Sequence, residues 1–176
     1  METRRVWVAL GSNLGDSDRI LQQAWRELGL SREIETLMLS SPYVTEPVGM
    51  ESEHLFLNAV GILETGLDCL ELLDLLQQVE KGFGRDKKTG VDGYQDRLLD
   101  LDILYYGDRI MTSKTLVLPH PHIAERLFVL APLAEIDMNH CDPLSGRTAQ
   151  QMHEELLQQM ARGATAVQDI RRQVWA

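Results

Sequence analysis

Two aspartates, Asp100 and Asp102, interrupt the apolar run Arg97-Leu98-Leu99-Asp100-Leu101-Asp102-Ile103-Leu104-Tyr105-Tyr106-Gly107. Strand side chains alternate between faces, so both carboxylates fall on one face and Leu99, Leu101 and Ile103 on the other. Same-face neighbours stand roughly 6.5 Å apart along a strand. Two carboxylates that close repel, and a core strand carries them at a cost unless a cation neutralises them. Oxygen donors in this arrangement suit a hard cation, above all Mg²⁺. The same alternation also fits a half-solvated antiparallel strand whose aspartates face water, although Asp is depleted from strand interiors.

Other residue types along the chain lend themselves to phosphate or ring chemistry. The stretch Gly82 to Asp96 is glycine-rich, charged and aperiodic. Its Arg85, Lys87 and Lys88 suit a lid over phosphates, and the same composition describes a solvated loop. Glu80 falls near the C-terminal end of a helical pattern, where the helix dipole disfavours a carboxylate unless it is paired. In Pro119-His120-Pro121-His122, no Cys or third His stands at a zinc-like spacing. That favours a single histidine here, acting as a hydrogen-bond donor to phosphate, over a zinc site. Asn58 is the one amide in an apolar strand pattern; it suits either the edge of a heteroaromatic ligand or a neighbouring backbone group. Gly11-Ser12-Asn13-Leu14-Gly15-Asp16 is a sharp strand-to-helix turn that lacks the Gly-Lys-Ser/Thr of a P-loop.

The elements that must position these residues read as follows. A strand at Val6–Leu10 precedes a helix marked by Ile20, Leu21, Ala24, Trp25 and Leu28, capped by Asp16 or Ser17 and stopped at Gly29. An extended region from Glu33 to Thr45 leaves regular pairing around Pro42 and Pro47. A strand at Leu55–Glu64 and a helix at Asp68–Lys81 precede the Asp strand, which Gly107-Asp108 ends. A small hairpin between Ile110 and Leu118, helical turns from Ile123 to Ile136 and a helix at Thr148–Met160 follow. The tail from Arg162 to Ala176 carries no clear pattern. The order β-α-β-β-α-β predicts an α+β fold: a ferredoxin-like split βαβ sandwich, its antiparallel sheet covered by helices on one face, with a C-terminal helical addition. One domain over residues 1–176 is expected from the length.

The formal net charge of −10, from 17 Lys+Arg against 27 Asp+Glu, argues against broad nucleic-acid binding. An anionic small substrate remains compatible where arginines or a metal reverse the local field. The two cysteines form no disulfide framework, and neither a signal peptide nor a membrane span is evident, so a cytoplasmic protein is expected.

Five motifs fall in a recognisable order: Val8-Ala9-Leu10-Gly11-Ser12-Asn13-Leu14-Gly15, Ser41-Pro42-Tyr43-Val44-Thr45-Glu46-Pro47, Phe56-Leu57-Asn58-Ala59-Val60, Arg97-Leu98-Leu99-Asp100-Leu101-Asp102-Ile103-Leu104 and Leu118-Pro119-His120-Pro121. Together they resemble the 6-hydroxymethyl-7,8-dihydropterin pyrophosphokinases of folate biosynthesis, over nearly the whole chain to about Leu133. The resemblance implies transfer of pyrophosphate from ATP to the pterin hydroxymethyl group, with release of AMP. It implies two Mg²⁺ ions on Asp100 and Asp102, and cationic or donor roles around the nucleotide for Arg85, Arg97, His120 and Arg126, with Glu80 at the nucleotide site. For the pterin it implies Asn58, backbone groups at Thr45, Glu46 and Val48, and an aromatic clamp of Phe128 and Tyr94.

The chain departs from the family pattern at Gly93-Tyr94-Gln95-Asp96, where many members read Trp-Gly-Pro, and its lid is longer by about two residues. No fused second enzyme is evident, and a monomer acting on ATP and the pterin, with neither nucleic acid nor membrane as partner, is the expectation. A metal-dependent phosphohydrolase and a non-catalytic pterin- or nucleotide-binding domain are the alternatives.

Overall fold

The computed structural model describes residues 3–47, 52–84 and 96–176. In chain order the elements are β1 (Arg4–Ser12), α1 (Ser17–Leu28), β2 (Ile34–Leu39), β3 (Tyr43–Thr45), β4 (Phe56–Thr65), α2 (Cys69–Gly82), β5 (Asp100–Tyr106), β6 (Met111–Thr112) and β7 (Val117–Leu118). A 3₁₀ turn (Ile123–Glu125), α3 (Leu127–Asp137), α4 (Ala149–Ala161) and β8 (Ile170–Arg172) complete the chain. Both long helices of the first half start on acidic caps. Asp16 accepts from the Arg19 N–H, and Asp68 with Glu71 forms a full capping box.

The main sheet runs β5-β1-β4-β3-β8, with β2 also paired to β4, and all its neighbours are antiparallel. β4 inserts between β1 and the β2–β3 pair, which is the split βαβ arrangement expected from the element order. Helices α1 and α2 cover one face, where Val6, Val8, Leu10, Leu101 and Ile103 meet Leu21, Leu28, Leu72 and Leu76. On the opposite face α3 and α4 pack through Leu130, Leu133, Met152 and Leu156 against Val60, Ile62 and Leu104. The C-terminal helical addition therefore covers the second sheet face and makes a three-layer α/β/α molecule, where the sequence reading placed helices on one face. The reason is compositional: β4 is buried on both sides along most of its length, so neither face is left to water.

Two irregularities escaped the sequence pattern. Trp7 pairs with Tyr105 but Val8 pairs with Ile103, so Leu104 is an extra residue bulged out of β5. The bulge keeps both Leu104 and Tyr105 on the α3/α4 face, breaking alternation just beyond the Asp pair. The tail, in turn, contributes β8, which pairs with β3 through Thr45↔Ile170, Val44↔Arg171 and Tyr43↔Arg172. No described helix is long and apolar enough to cross a membrane.

Gly61 on β4 is required by packing: a Cβ there would overlap the Trp25 ring of α1. Overpacking of this kind costs about 1–3 kcal/mol. Gly61→Ala is therefore expected to lower the thermal midpoint by about 5 °C. The loss should shrink in a Trp25→Leu background, read by thermal unfolding of the four variants of the cycle; equal losses in both backgrounds would show that the ring is not the cause.

Candidate active site

An open cavity lies on the sheet face that carries α3. Its floor crosses three strands: Ala9 to Gly11 of β1, Asn58 and Ala59 of β4, and Asp100, Asp102 and Leu104 of β5. Gly11 is paired with Asn58 on one side and Asp100 on the other. A Cβ at Gly11 would stand 3.2 Å from Asn58 Oδ1 and 4.0 Å from Asp100 Cβ. The missing side chain keeps the middle of this row open between an amide and a carboxylate. Strand spacing sets those two groups roughly 10 Å apart.

At the amide end, the buried Asn58 donates from Nδ2 to Thr45 Oγ1 at 3.0 Å, which turns its Oδ1 toward Gly11. Thr45 closes β3, and Glu46 follows it on the cavity wall. Phe56 opens β4, Phe128 lies in the first turn of α3, and both line the cavity. The Arg126 guanidinium sits 5.7 Å from the Phe128 ring centroid, within cation–π range.

At the carboxylate end, Asp100 and Asp102 share the cavity face, as the strand period requires. Arg97 Nη1 lies 2.7 Å from Asp100 Oδ2. Arg97 has the parity of Leu99, but β5 begins only at Asp100, so strand alternation does not bind it. Its backbone is held by Asn13 instead. The Arg97 N–H donates to Asn13 Oδ1 at 2.7 Å, the Asn13 N–H donates to the Arg97 carbonyl at 3.1 Å, and Asn13 Nδ2 donates to Asp96 at 2.6 Å. Hydrogen bonds from Ser52 and Asn13 hold the Asp96 carboxyl below the ordinary aspartate range. Asn13 is a positioning residue that sequence reading missed. Its signal was a lone amide inside a glycine-flanked turn, indistinguishable there from an ordinary turn former.

Glu80 does not line the cavity. It is buried on α2, and its Oε1 accepts the Leu101 N–H at 2.8 Å, tying the helix to the Asp strand at the sheet edge. His120 does line it. Its N–H donates to the Leu104 carbonyl at 2.9 Å, and its Nδ1 accepts from the His122 N–H at 3.3 Å. Burial, then the charges of Arg126 and His122, push the His120 pKa down to about 4 against the pull of Asp100. The imidazole is neutral near pH 7, and with Nδ1 accepting, its proton sits on Nε2 as a donor.

Of the residues singled out in the sequence, the structure gathers Thr45, Glu46, Asn58, Arg97, Asp100, Asp102, His120, Arg126 and Phe128 around one cavity. Val48, Arg85 and Tyr94 lie outside the described residues. The family resemblance implies Tyr94 as a second aromatic beside Phe128; within the described residues Phe56 and Phe128 both line the cavity.

A family model for 7,8-dihydro-6-hydroxymethylpterin-pyrophosphokinase matches residues 7–138. The chain belongs to this family. The 2-amino-4-hydroxy-6-hydroxymethyldihydropteridine pyrophosphokinase of Bacillus subtilis is 42% identical over 131 residues, covering 74% of this chain and 77% of that protein. The Pseudomonas aeruginosa enzyme of the same name is 38% identical over 135 residues, covering 76% and 80%. Among solved structures, Plasmodium falciparum HPPK-DHPS superposes with a TM-score of 0.75 at 13% identity, over 92% of this chain. At that identity the likeness speaks for the fold, and this chain spans 45% of the Plasmodium protein.

The depressed His120 pKa has a consequence for stability. Between pH 6.5 and about 4 the unfolded chain takes up a proton that the folded imidazole refuses, so His120 lowers stability as pH falls through that window. Burial lowers the pKa of His140 and His153 as well, adding to the same slope. Denaturant titrations across this range should give a shallower decline for His120→Gln than for the wild type. Parallel curves would contradict the assignment.

Proposed function

We propose that the cavity binds ATP at its carboxylate end and a reduced pterin at its amide end, with the hydroxymethyl group of the pterin meeting the β-phosphorus between them. The chain is an ATP-dependent pyrophosphokinase acting on 6-hydroxymethyl-7,8-dihydropterin. The observation that carries the division of the site is the row Asn58–Gly11–Asp100, which sets a ring-recognising amide and a carboxylate pair on opposite sides of an open strand position.

Asn58, oriented by Thr45, presents its carbonyl oxygen to a ring N–H, while Phe56 and Phe128 offer apolar faces to a flat heterocycle. The backbone at Thr45 and Glu46 supplies further edge contacts. Val48 and Tyr94 belong to the same reading of the pterin side and Arg85 to that of the nucleotide side, on which Glu80 acts through the Leu101 backbone.

The residues present suit magnesium: two oxygen donors share one face, and no cluster of three or more His, Cys, Asp or Glu occurs among the described residues to favour a softer metal. Asp100 and Asp102 would hold it, two ions in this reading. Bound there, it would neutralise phosphate charge and polarise the β-phosphorus. Arg97 keeps Asp100 in place and offers positive charge at the same wall, and the neutral His120 donates from Nε2. Arg126 adds a second guanidinium beside Phe128. The hydroxymethyl oxygen forms its bond to the β-phosphorus as that phosphorus loses its bond to the oxygen bridging it to the α-phosphorus; AMP leaves with the bridging oxygen, and the hydroxyl proton passes to a phosphate oxygen or to water. Placement and charge compensation carry this step, with no dedicated base among the described residues of the cavity. A single domain, a monomer and a cytoplasmic location complete the reading; both cysteines are free thiols, Cys69 buried and Cys141 exposed.

Incubation of the protein with ATP, Mg²⁺ and hydroxymethyl-dihydropterin should yield AMP and pterin diphosphate in equal amounts. ADP, or ATP consumption without pterin, would sink the transfer reading. Asp100→Ala and Asp102→Ala should each lower turnover at least about 10²-fold. Pterin affinity should change little in these variants. Mg²⁺-dependent turnover retained in both would remove the carboxylate pair from the mechanism.

A further inference from the structure

Helix α3 brings Phe128 to the cavity, yet its N-terminus has no cap of its own. Arg126 occupies the cap position and makes no side-chain capping bond, because a guanidinium has no acceptor to offer. The acceptor comes from far along the chain. Gln168 Oε1 accepts the Leu127 N–H at 2.9 Å, and Gln168 Nε2 donates to the Glu125 carbonyl at 2.7 Å. One amide thus fixes the backbone on both sides of residue 126, directly before Phe128. Gln168 is itself held, its N–H lying 3.3 Å from Met160 Sδ of α4.

From Gln168 the chain runs straight to the other wall. Ile170 packs on the α3/α4 core and pairs with Thr45, the residue that orients Asn58. Arg172 donates to Ser41 Oγ at 3.0 Å and to Glu135 Oε1 at 3.1 Å, joining the segment that leads into β3 to α3. Glu135 also accepts from the Ser41 N–H and the Tyr43 hydroxyl. The Gln173 N–H donates to the Pro42 carbonyl at 2.8 Å, and Trp175 Nε1 to the Ser40 carbonyl at 2.9 Å. Without this partner, β3 would be a three-residue strand with an open edge. All of these tail residues lie beyond the family match, which ends at residue 138.

We propose that the segment Gln168–Trp175 braces the pterin half of the cavity and that Gln168 is a positioning residue acting on Phe128 through the Leu127 backbone. The inference rests on the assignment of the amide end of the cavity to the pterin. The carboxylate pair is anchored independently, through Glu80 to Leu101 and Asn13 to Arg97, so the brace reaches the nucleotide side through Arg126 alone.

The test is calorimetric titration of the full chain with hydroxymethyl-dihydropterin, and separately with Mg²⁺ and α,β-methylene-ATP. Gln168→Ala should weaken pterin binding at least fivefold, in line with loss of a helix cap at roughly 1 kcal/mol. Nucleotide affinity should fall less than pterin affinity, because Arg126 is the one nucleotide-side residue the brace flanks. Gln168→Glu keeps the acceptor for Leu127 but sets its other oxygen against the Glu125 carbonyl, so it should recover only part of the affinity that Gln168→Ala loses. Leu28→Ala, destabilised in the core under the other sheet face, should keep wild-type pterin affinity below its melting transition. Pterin affinity in Gln168→Ala within twofold of wild type overturns the proposal, as does an equal loss for pterin and nucleotide. A wild-type chain that binds pterin but forms no AMP would sink the transfer reading while leaving the brace to stand or fall on these titrations; one that binds no pterin overturns both.

Discussion

The structure depends on keeping Asp100 and Asp102 side by side on a packed sheet without burying their charge. Their strand is locked from behind by Leu99, Leu101 and Ile103, each almost fully buried against α1 and α2. That apolar face fixes register, since a slip of one residue would drive both carboxylates into the core. Glu80 completes the lock by taking the Leu101 N–H at the sheet edge. A carboxylate buried on a helix is itself expensive, and here it is answered by a backbone donor of the very strand it holds. The apolar half of β5 thereby becomes a positioning device for the polar half.

The opposite side of the site obeys a different constraint. On the reading proposed above, a flat ring meets apolar side chains and one directional amide held by segments distant in sequence: Phe56 at the start of β4, Phe128 at the start of α3, and Thr45 at the end of β3, which orients Asn58. Each sits at the terminus of an element, where backbone is least constrained by regular hydrogen bonding. Such termini hold their direction only if something outside the element ties them. Ser40, Ser41, Tyr43, Glu135, Gln168 and Arg172 form these ties, and none of them lines the cavity. The carboxylate end is held by core packing behind β5 together with the Glu80 and Asn13 hydrogen bonds, whereas the amide end relies mainly on polar links between element ends.

This difference explains what was legible in the sequence. The Asp pair, its face and the elements around it follow from period-two and helical spacing, and so does the split βαβ order, because buried apolar stripes are local patterns. Arg97 could not be placed by parity alone, since its freedom comes from where β5 begins. The bulge at Leu104 has no sequence signal; it arises from pairing with Trp7 and Val8. Strand β8 was hidden for a related reason: Ile170-Arg171-Arg172 is too short and too polar to announce a strand, and it forms only because β3 presents an edge. Phe56 was read as part of a motif but not as a wall, while Asn13 and Gln168 were indistinguishable from any surface amide. Long-range single hydrogen bonds leave no periodicity to read.

The charges around the cavity bear on how a polyphosphate is accepted. Arg97 and Arg126 face Asp100, Asp102 and Glu46 among the described lining residues, and His120 adds no charge near pH 7. Described cavity charge is therefore slightly negative, in a protein of net charge −10. A bare triphosphate would meet repulsion from both the protein as a whole and the cavity floor. On the reading proposed above, the nucleotide must enter with its charge already compensated, and the carboxylates then act as ligands to the compensating cations. Keeping His120 neutral fits the same logic. A second cationic group beside Arg126 would favour phosphate in the ground state, whereas a neutral donor orients without adding charge. The arginines then contribute where charge shifts during transfer.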